Sequence, residues 1–108
     1  MKNDLPECPV QITLSLMDNK WKVLIIGELL FEGMHRFTEL KKALPKISQK
    51  VLTSNLRSLE EDGIVIREVF AEVPLRVEYS LTELGNSLRP IIDSMMQWGE
   101  DYRAKVSG

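Results

Sequence analysis

The 108-residue chain holds one cysteine and one histidine, and each scarcity closes off a class of chemistry. A lone Cys8 excludes an internal disulfide. A lone His35 leaves almost no transition-metal ligand beyond carboxylates, so no metal and no cofactor are expected. A Ser-His-Asp or Cys-His group would have to be built on His35 alone. The sequence offers neither a nucleophile-elbow motif nor a phosphate-binding glycine loop, so an enzyme is not expected. Long apolar runs are missing as well: the longest, residues 23–26, falls far short of the ~20 residues that span a bilayer. Asp4, Pro6 and Glu7 interrupt any basic-then-apolar opening, which argues against a signal peptide. A cytoplasmic protein with no membrane contact is expected.

What is present is ordinary globular material, 44% hydrophobic and 28% charged, enough for one domain over residues 1–108. The net charge of −2 conceals an uneven distribution. Residues 36–57 carry six basic side chains (Arg36, Lys41, Lys42, Lys46, Lys50, Arg57) against one acidic, Glu39, a local charge of +5 that leaves −7 on the remainder. A basic block in an acidic protein suits a surface that faces a polyanion, although a solvated helix face has the same composition.

Hydrophobic periodicity divides the chain into short helices and a hairpin. Residues 2–8 read as an extended arm. Pro9 starts a short helix with Ile12, Leu16 and Met17 on one side, and Asp18 and Asn19 break it and start the next. Residues 20–31 are apolar on most sides, which marks a central buried helix ended by Gly33. After an extended link over 34–37, Thr38 is expected to cap a third helix with Leu40, Ala43 and Leu44 inward, stopped at Pro45. Ser48 opens a fourth helix running to Asp62, with Leu52, Leu56 and Leu59 inward and Gly63 as its left-handed cap. The period then shortens: residues 64–70 and 76–81 read as strands joined by 71–75, with Pro74 outside the ladder. Thr82 is expected to cap one long C-terminal helix with Leu84, Leu88, Ile91, Met95, Trp98 and Tyr102 along one stripe, kinked at Pro90.

This order predicts a mainly α fold with a small β-hairpin, a winged helix-turn-helix. Turning Leu52, Leu56 and Leu59 inward puts Lys50, Thr53, Ser54 and Arg57 outward, with Gln49 at the N-terminal edge. Such side chains suit double-stranded DNA: Gln49 and Lys50 donate to base edges, Thr53 offers a methyl and a hydroxyl, and Arg57, Lys41, Lys42 and Lys46 neutralise phosphates. Arg36, Thr38, Ser48 and, beside the wing loop, Arg76 complete the candidate DNA-binding set. The alternative is a winged-helix protein-interaction module without DNA binding, which would place apolar or acidic groups where this chain has Lys50 and Arg57. The apolar excess of the last helix predicts a homodimer built with the N-terminal helix, through Ile12, Leu16, Leu88, Ile91, Ile92, Met95, Met96, Trp98 and Tyr102. Two-fold symmetry would then demand a pseudo-palindromic operator. His35 reads as a surface or backbone-bonding residue, Trp21 and Trp98 as core or interface aromatics, and Met34, Met95 and Met96 as adaptable packing.

Several segments together resemble one known family. Cys8-Pro9-Val10, Asp18-Asn19-Lys20-Trp21-Lys22, Arg36-Phe37-Thr38-Glu39-Leu40, Ile47-Ser48-Gln49-Lys50-Val51-Leu52-Thr53, Leu56-Arg57-Ser58-Leu59-Glu60-Glu61-Asp62-Gly63, Pro74-Leu75-Arg76-Val77-Glu78-Tyr79 and Leu81-Thr82-Glu83-Leu84-Gly85 are similar to the HxlR-type transcriptional regulators, relatives of the MarR group. The resemblance runs from Cys8 to Tyr102 and implies a homodimeric winged-helix repressor or activator. It also implies a role for Cys8, which matches an N-terminal cysteine that some members use to sense oxidants or electrophiles. A small buried hydrophobe is the alternative reading of Cys8. No motif names an effector. Many members carry glycines where this chain has Asp18-Asn19, a departure expected to alter only the turn between the first two helices.

Overall fold

In the computed structural model, which describes residues 4–108, a 13-residue helix, α2 (Lys20–Glu32), runs through the centre of the molecule. It is preceded by α1 (Pro9–Leu16) and followed by α3 (Phe37–Ala43), α4 (Gln49–Glu61), β1 (Val65–Phe70), β2 (Arg76–Leu81), α5 (Glu83–Asn86) and α6 (Arg89–Ser107). The two strands form an antiparallel hairpin in which Val65 faces Leu81 and Phe70 faces Arg76. This is the expected helix-rich fold with one small hairpin. Of the expected N-terminal arm, residues 2 and 3 lie outside the described residues.

The sequence periods explain the packing. Ile25 and Ile26 of α2, Leu40 of α3, Leu52, Leu56 and Leu59 of α4, and Ile47, Ile64 and Val65 from the connections and β1 are almost fully buried together. α2 touches α3, α4, β2 and α6, so it joins the helix-turn-helix, the hairpin and the C-terminal helix. Each fully buried Leu or Ile contributes about 1.5–3 kcal/mol. Surface ion pairs contribute about 0–1 kcal/mol each, so this aliphatic cluster is the dominant stabilising feature.

Backbone chemistry sets the element ends. Asn19 caps α2 by accepting from the Lys22 N–H at 3.1 Å, and Ser48 caps α4 by accepting from Val51 N–H at 3.1 Å. Gly33 and Gly63 close α2 and α4 with positive φ, the backbone region glycine enters without steric cost. The link after Gly33 does more than connect. His35 pairs with Tyr79 through both backbone groups, at 3.0 and 2.8 Å, and adds a one-residue bridge along the edge of β2 away from β1. Its ring lies between the Gly33 carbonyl, 2.7 Å from Nδ1, and the Glu28 carboxylate, 2.8 Å from Nε2. His35 is therefore backbone-bonded as expected, but it is buried rather than at the surface.

Two expected boundaries are corrected. Thr38 is not the cap of α3: Arg36 holds that position, because the Glu39 carboxylate reaches back to the Arg36 N–H at 2.8 Å and starts the helix one residue before Thr38. The C-terminal helix is not one kinked rod but two pieces. A continuous helix would lose the bond from position 90 to Asn86, and the Pro90 ring would meet that carbonyl. The break at Ser87 and Leu88 instead places Pro90 in the first turn of α6, where an N–H is not needed. Leu84 consequently lies on the surface instead of in an inner stripe.

Thr82 fixes this corner. Its hydroxyl donates to the Gly63 carbonyl and accepts from Gly85 N–H at 3.0 Å, while its own N–H donates to Ile64 O at 3.0 Å. Gly85 sits so close that a Cβ would lie 2.2 Å from Ile64 O. Because that oxygen is held in place by Thr82, Gly85→Ala is expected to lower stability by about 1–3 kcal/mol, the range for overpacking. Urea unfolding of the two proteins, compared at equal concentration, measures the difference.

Candidate nucleic-acid interface

The turn between α3 and α4 is tight because Ile47 N–H bonds to Leu44 O at 3.1 Å and Pro45 ends α3. With Leu52, Leu56 and Leu59 buried, the 3.6-residue period brings Gln49, Lys50, Thr53, Ser54, Arg57, Ser58 and Glu61 around one open surface depression. Five of these seven are the outward set expected from the sequence. A second groove adjoins it, lined by Phe37, Gln49, Thr53, Arg57, Glu60, Arg67 and Tyr79. Arg67 comes from β1 and escaped the sequence analysis. The signal that finds it is strand register: Arg67 pairs with Tyr79, which faces the start of α3 and α4.

The other expected cations divide into free and occupied. Arg36, Lys42 and Lys46 are exposed, as are Thr38 and Ser48. Lys41 is partly buried, with its ammonium donating to the Pro45 carbonyl at 3.3 Å across the turn. Arg76 is the clearest departure. Its guanidinium lies over the Phe70 ring at 4.1 Å and pairs with Glu72 and Glu78, each at 3.3 Å. The wing loop itself, Ala71-Glu72-Val73-Pro74-Leu75, carries no cation, and Val73 and Leu75 are its most exposed apolar groups. Arg76 therefore braces the hairpin rather than extending from its tip.

The expected partner-facing residues also divide. Leu88 and Ile92, 9% and 4% exposed, belong to the chain's own core, because the break before Pro90 turns them toward α2. They are removed from the interface set. Ile91, Met95, Met96, Trp98 and Tyr102 remain exposed along α6, with the Trp98 and Tyr102 rings stacked at 5.4 Å. Trp98, 69% exposed, is no core aromatic, whereas Trp21 is partly buried against the core. Met34 also lies on the surface. On α1, Ile12 and Leu16 are half-buried while Val10 and Leu14 are exposed. Cys8 is the N-cap residue of α1 and is exposed, with no capping bond from its side chain. Within the chain it is not the buried packing group of the alternative reading.

Among the described residues no helix is long and apolar enough to cross a membrane, and no group of three or more His, Cys, Asp or Glu side chains converges as for a metal ion. A helix-turn-helix with a polar, partly cationic outer face and an adjoining hairpin defines the winged-helix class of DNA-binding regulators. Residues 16–107 match the HxlR-like helix-turn-helix family, and the chain belongs to that family. It is a transcriptional regulator of the helix-turn-helix type, not an enzyme.

Individual relatives agree. The HTH-type transcriptional regulator YdeP of Bacillus subtilis is 46% identical over 104 residues, covering 96% of this chain and 80% of that protein. The structure of the redox regulator HypR in its reduced form matches with a TM-score of 0.85 and 45% identity, over 93% of this chain and 98% of that one. The reduced form of the regulator YodB from B. subtilis matches at 0.75 and 38%, over 90% and 95%. YodB structures after diamide treatment and with bound quinone are also similar.

Proposed function

We propose that the chain binds a pseudo-palindromic operator in double-stranded DNA as a homodimer and regulates transcription from it, with α4 in the major groove. The observation that carries this reading is the single exposed face on which Gln49, Lys50, Thr53, Ser54 and Arg57 meet. Gln49 and Lys50, at the N-terminal end of α4, read base edges. Thr53 and Ser54 supply hydroxyls, and Arg57, Lys42, Lys46 and Arg67 neutralise phosphates. The hairpin lies along the flanking minor groove, where the exposed Val73 and Leu75 of its tip make apolar contact and Arg76, paired with Glu72, keeps its shape. A cytoplasmic location accords with a chromosomal ligand.

Dimerisation through α1 and α6 accounts for the exposed Ile91, Met95, Met96, Trp98 and Tyr102 of α6 and the exposed Val10 and Leu14 of α1. So many exposed large apolar groups on a small chain mark an association surface. A two-fold axis there sets the two α4 helices about one DNA turn, ~34 Å, apart. We read Cys8 as the responsive group. It is the only cysteine, it is exposed at the start of the dimer-forming helix, and relatives include a redox regulator and a regulator solved with bound quinone. Added bulk or charge at Cys8 would shift α1 and with it the spacing of the two α4 helices.

Three measurements test these parts separately. Genomic fragments selected by the purified protein are expected to share one inverted repeat, and Lys50→Ala/Arg57→Ala is expected to weaken binding to it by at least tenfold (about 1.4 kcal/mol or more). Unchanged affinity would favour the interaction-module alternative. Light scattering at micromolar concentration is expected to give twice the 12.4 kDa chain mass; a monomer mass contradicts the dimer. Diamide or a quinone is expected to change operator affinity in the wild type but not in Cys8→Ser, and an equal response in both removes Cys8 from the mechanism.

A further inference from the structure

The inner side of α4 contains one polar interruption. Asn55 is 7% exposed and lies between the buried Leu52, Leu56 and Leu59. Its Nδ2 donates to the Val51 carbonyl one turn back at 2.9 Å. Its Oδ1 accepts from Asn19 Nδ2 at 2.9 Å, and Asn19 Oδ1 in turn accepts from Lys22 N–H at 3.1 Å. The result is a chain of two side-chain amides joining the first turn of α2 to the middle of α4. Its direction is set by its ends, since a backbone carbonyl can only accept and a backbone N–H can only donate.

We infer that Asn19 is a positioning residue for α4, setting through Asn55 the rotation and depth at which the outer side chains of that helix meet DNA. This rests on reading α4 as the DNA-reading helix. Aliphatic packing is non-directional and permits small rotations, whereas a hydrogen bond weakens steeply with distance and angle. A rotation of about 10° moves a side-chain tip near the helix surface by roughly 1 Å, from a helix radius of about 5–6 Å. That displacement is comparable to the whole range over which a base contact is satisfied. Asn19 is itself firmly placed. It is the N-cap of α2, Met17 is buried just before it, and Asp18 pairs with the buried Lys22 side chain at 2.8 Å. The chain's departure at Asp18-Asn19 therefore reaches beyond the turn in which it lies and contacts the DNA-reading helix.

The substitution Asn19→Asp isolates this function. Aspartate is as good an N-cap as asparagine, so the start of α2 is retained. Its second oxygen, however, would face Asn55 Oδ1, and Asn55 cannot turn over without facing the Val51 carbonyl. A second variant, Asn19→Gly/Asn55→Leu, removes both amides, keeps a tolerated N-cap, and continues the aliphatic stripe. The readout is the ratio of affinities for the duplex selected by the wild type and for a shuffled duplex, at one salt concentration, alongside the melting temperature. A loss of folded protein lowers both affinities alike and leaves the ratio unchanged. Both variants are expected to reduce the ratio about tenfold, the scale of one lost base contact. The double variant is expected to do so with a melting temperature at or above that of the wild type. A ratio within about twofold of the wild type in either variant overturns the inference while leaving the reading of α4 intact. A wild type that selects no sequence overturns both.

Discussion

The burial of α2 is the constraint on which the rest of the structure depends. A helix whose sequence is apolar on most sides must bury much of its surface, and here α2 packs against α3, α4, the hairpin and α6 through the side that carries Ile25, Ile26, Leu29 and Leu30, while Leu24 and Phe31 remain exposed. α4 has only one apolar face to offer. Once Leu52, Leu56 and Leu59 are committed to the core, the opposite face of α4 must present its polar side chains to solvent. The polar outer surface of α4, which we propose faces DNA, is thus a consequence of core packing.

Polar groups act at the joints between these packed pieces. His35 ties the end of α2 to the hairpin through Tyr79, Thr82 ties the hairpin's origin to α5, and Asn19 ties the start of α2 to α4. Each is directional where the aliphatic core is not. Together they convert a cluster that would tolerate sliding into one arrangement of wing and helix. The break before Pro90 works in the same sense. It divides the C-terminal segment so that Leu88 and Ile92 serve the core while Met95, Met96, Trp98 and Tyr102 remain outside.

Charge counted along the chain and charge available to a ligand are different quantities. The +5 block coincides with the helix-turn-helix, yet within it Lys41 is spent on the Pro45 carbonyl. Outside it, Arg76 is held by Phe70, Glu72 and Glu78. Arg67 gains a place beside Arg57 and Gln49 that its sequence neighbours do not suggest. For Arg76, stacking on its cross-strand neighbour Phe70 and ion pairs within the loop and β2 decide the outcome, and for Arg67 the register opposite Tyr79 decides it.

Local rules were sufficient wherever one residue or one period decides the outcome. Ser48, Asn19 and Gly63 end their helices for reasons contained within a few residues, and the leucine spacing of α4 already assigns its inner and outer faces. The order of elements, and hence the winged-helix class, was legible for the same reason. Competition between neighbours lay beyond those rules: Glu39 moved the N-cap of α3 from Thr38 to Arg36, and Pro90 divided a helix that periodicity alone would continue. Long-range partners were decided only in three dimensions. The Asn19–Asn55 bond joins residues 36 positions apart, and the close approach of Gly85 to Ile64 O exists only once the hairpin has folded back. Sequence periodicity specifies which face of an element is buried, because that depends on spacing along one chain segment; which atoms meet across the interface depends on the relative placement of two segments, and only packing supplies it.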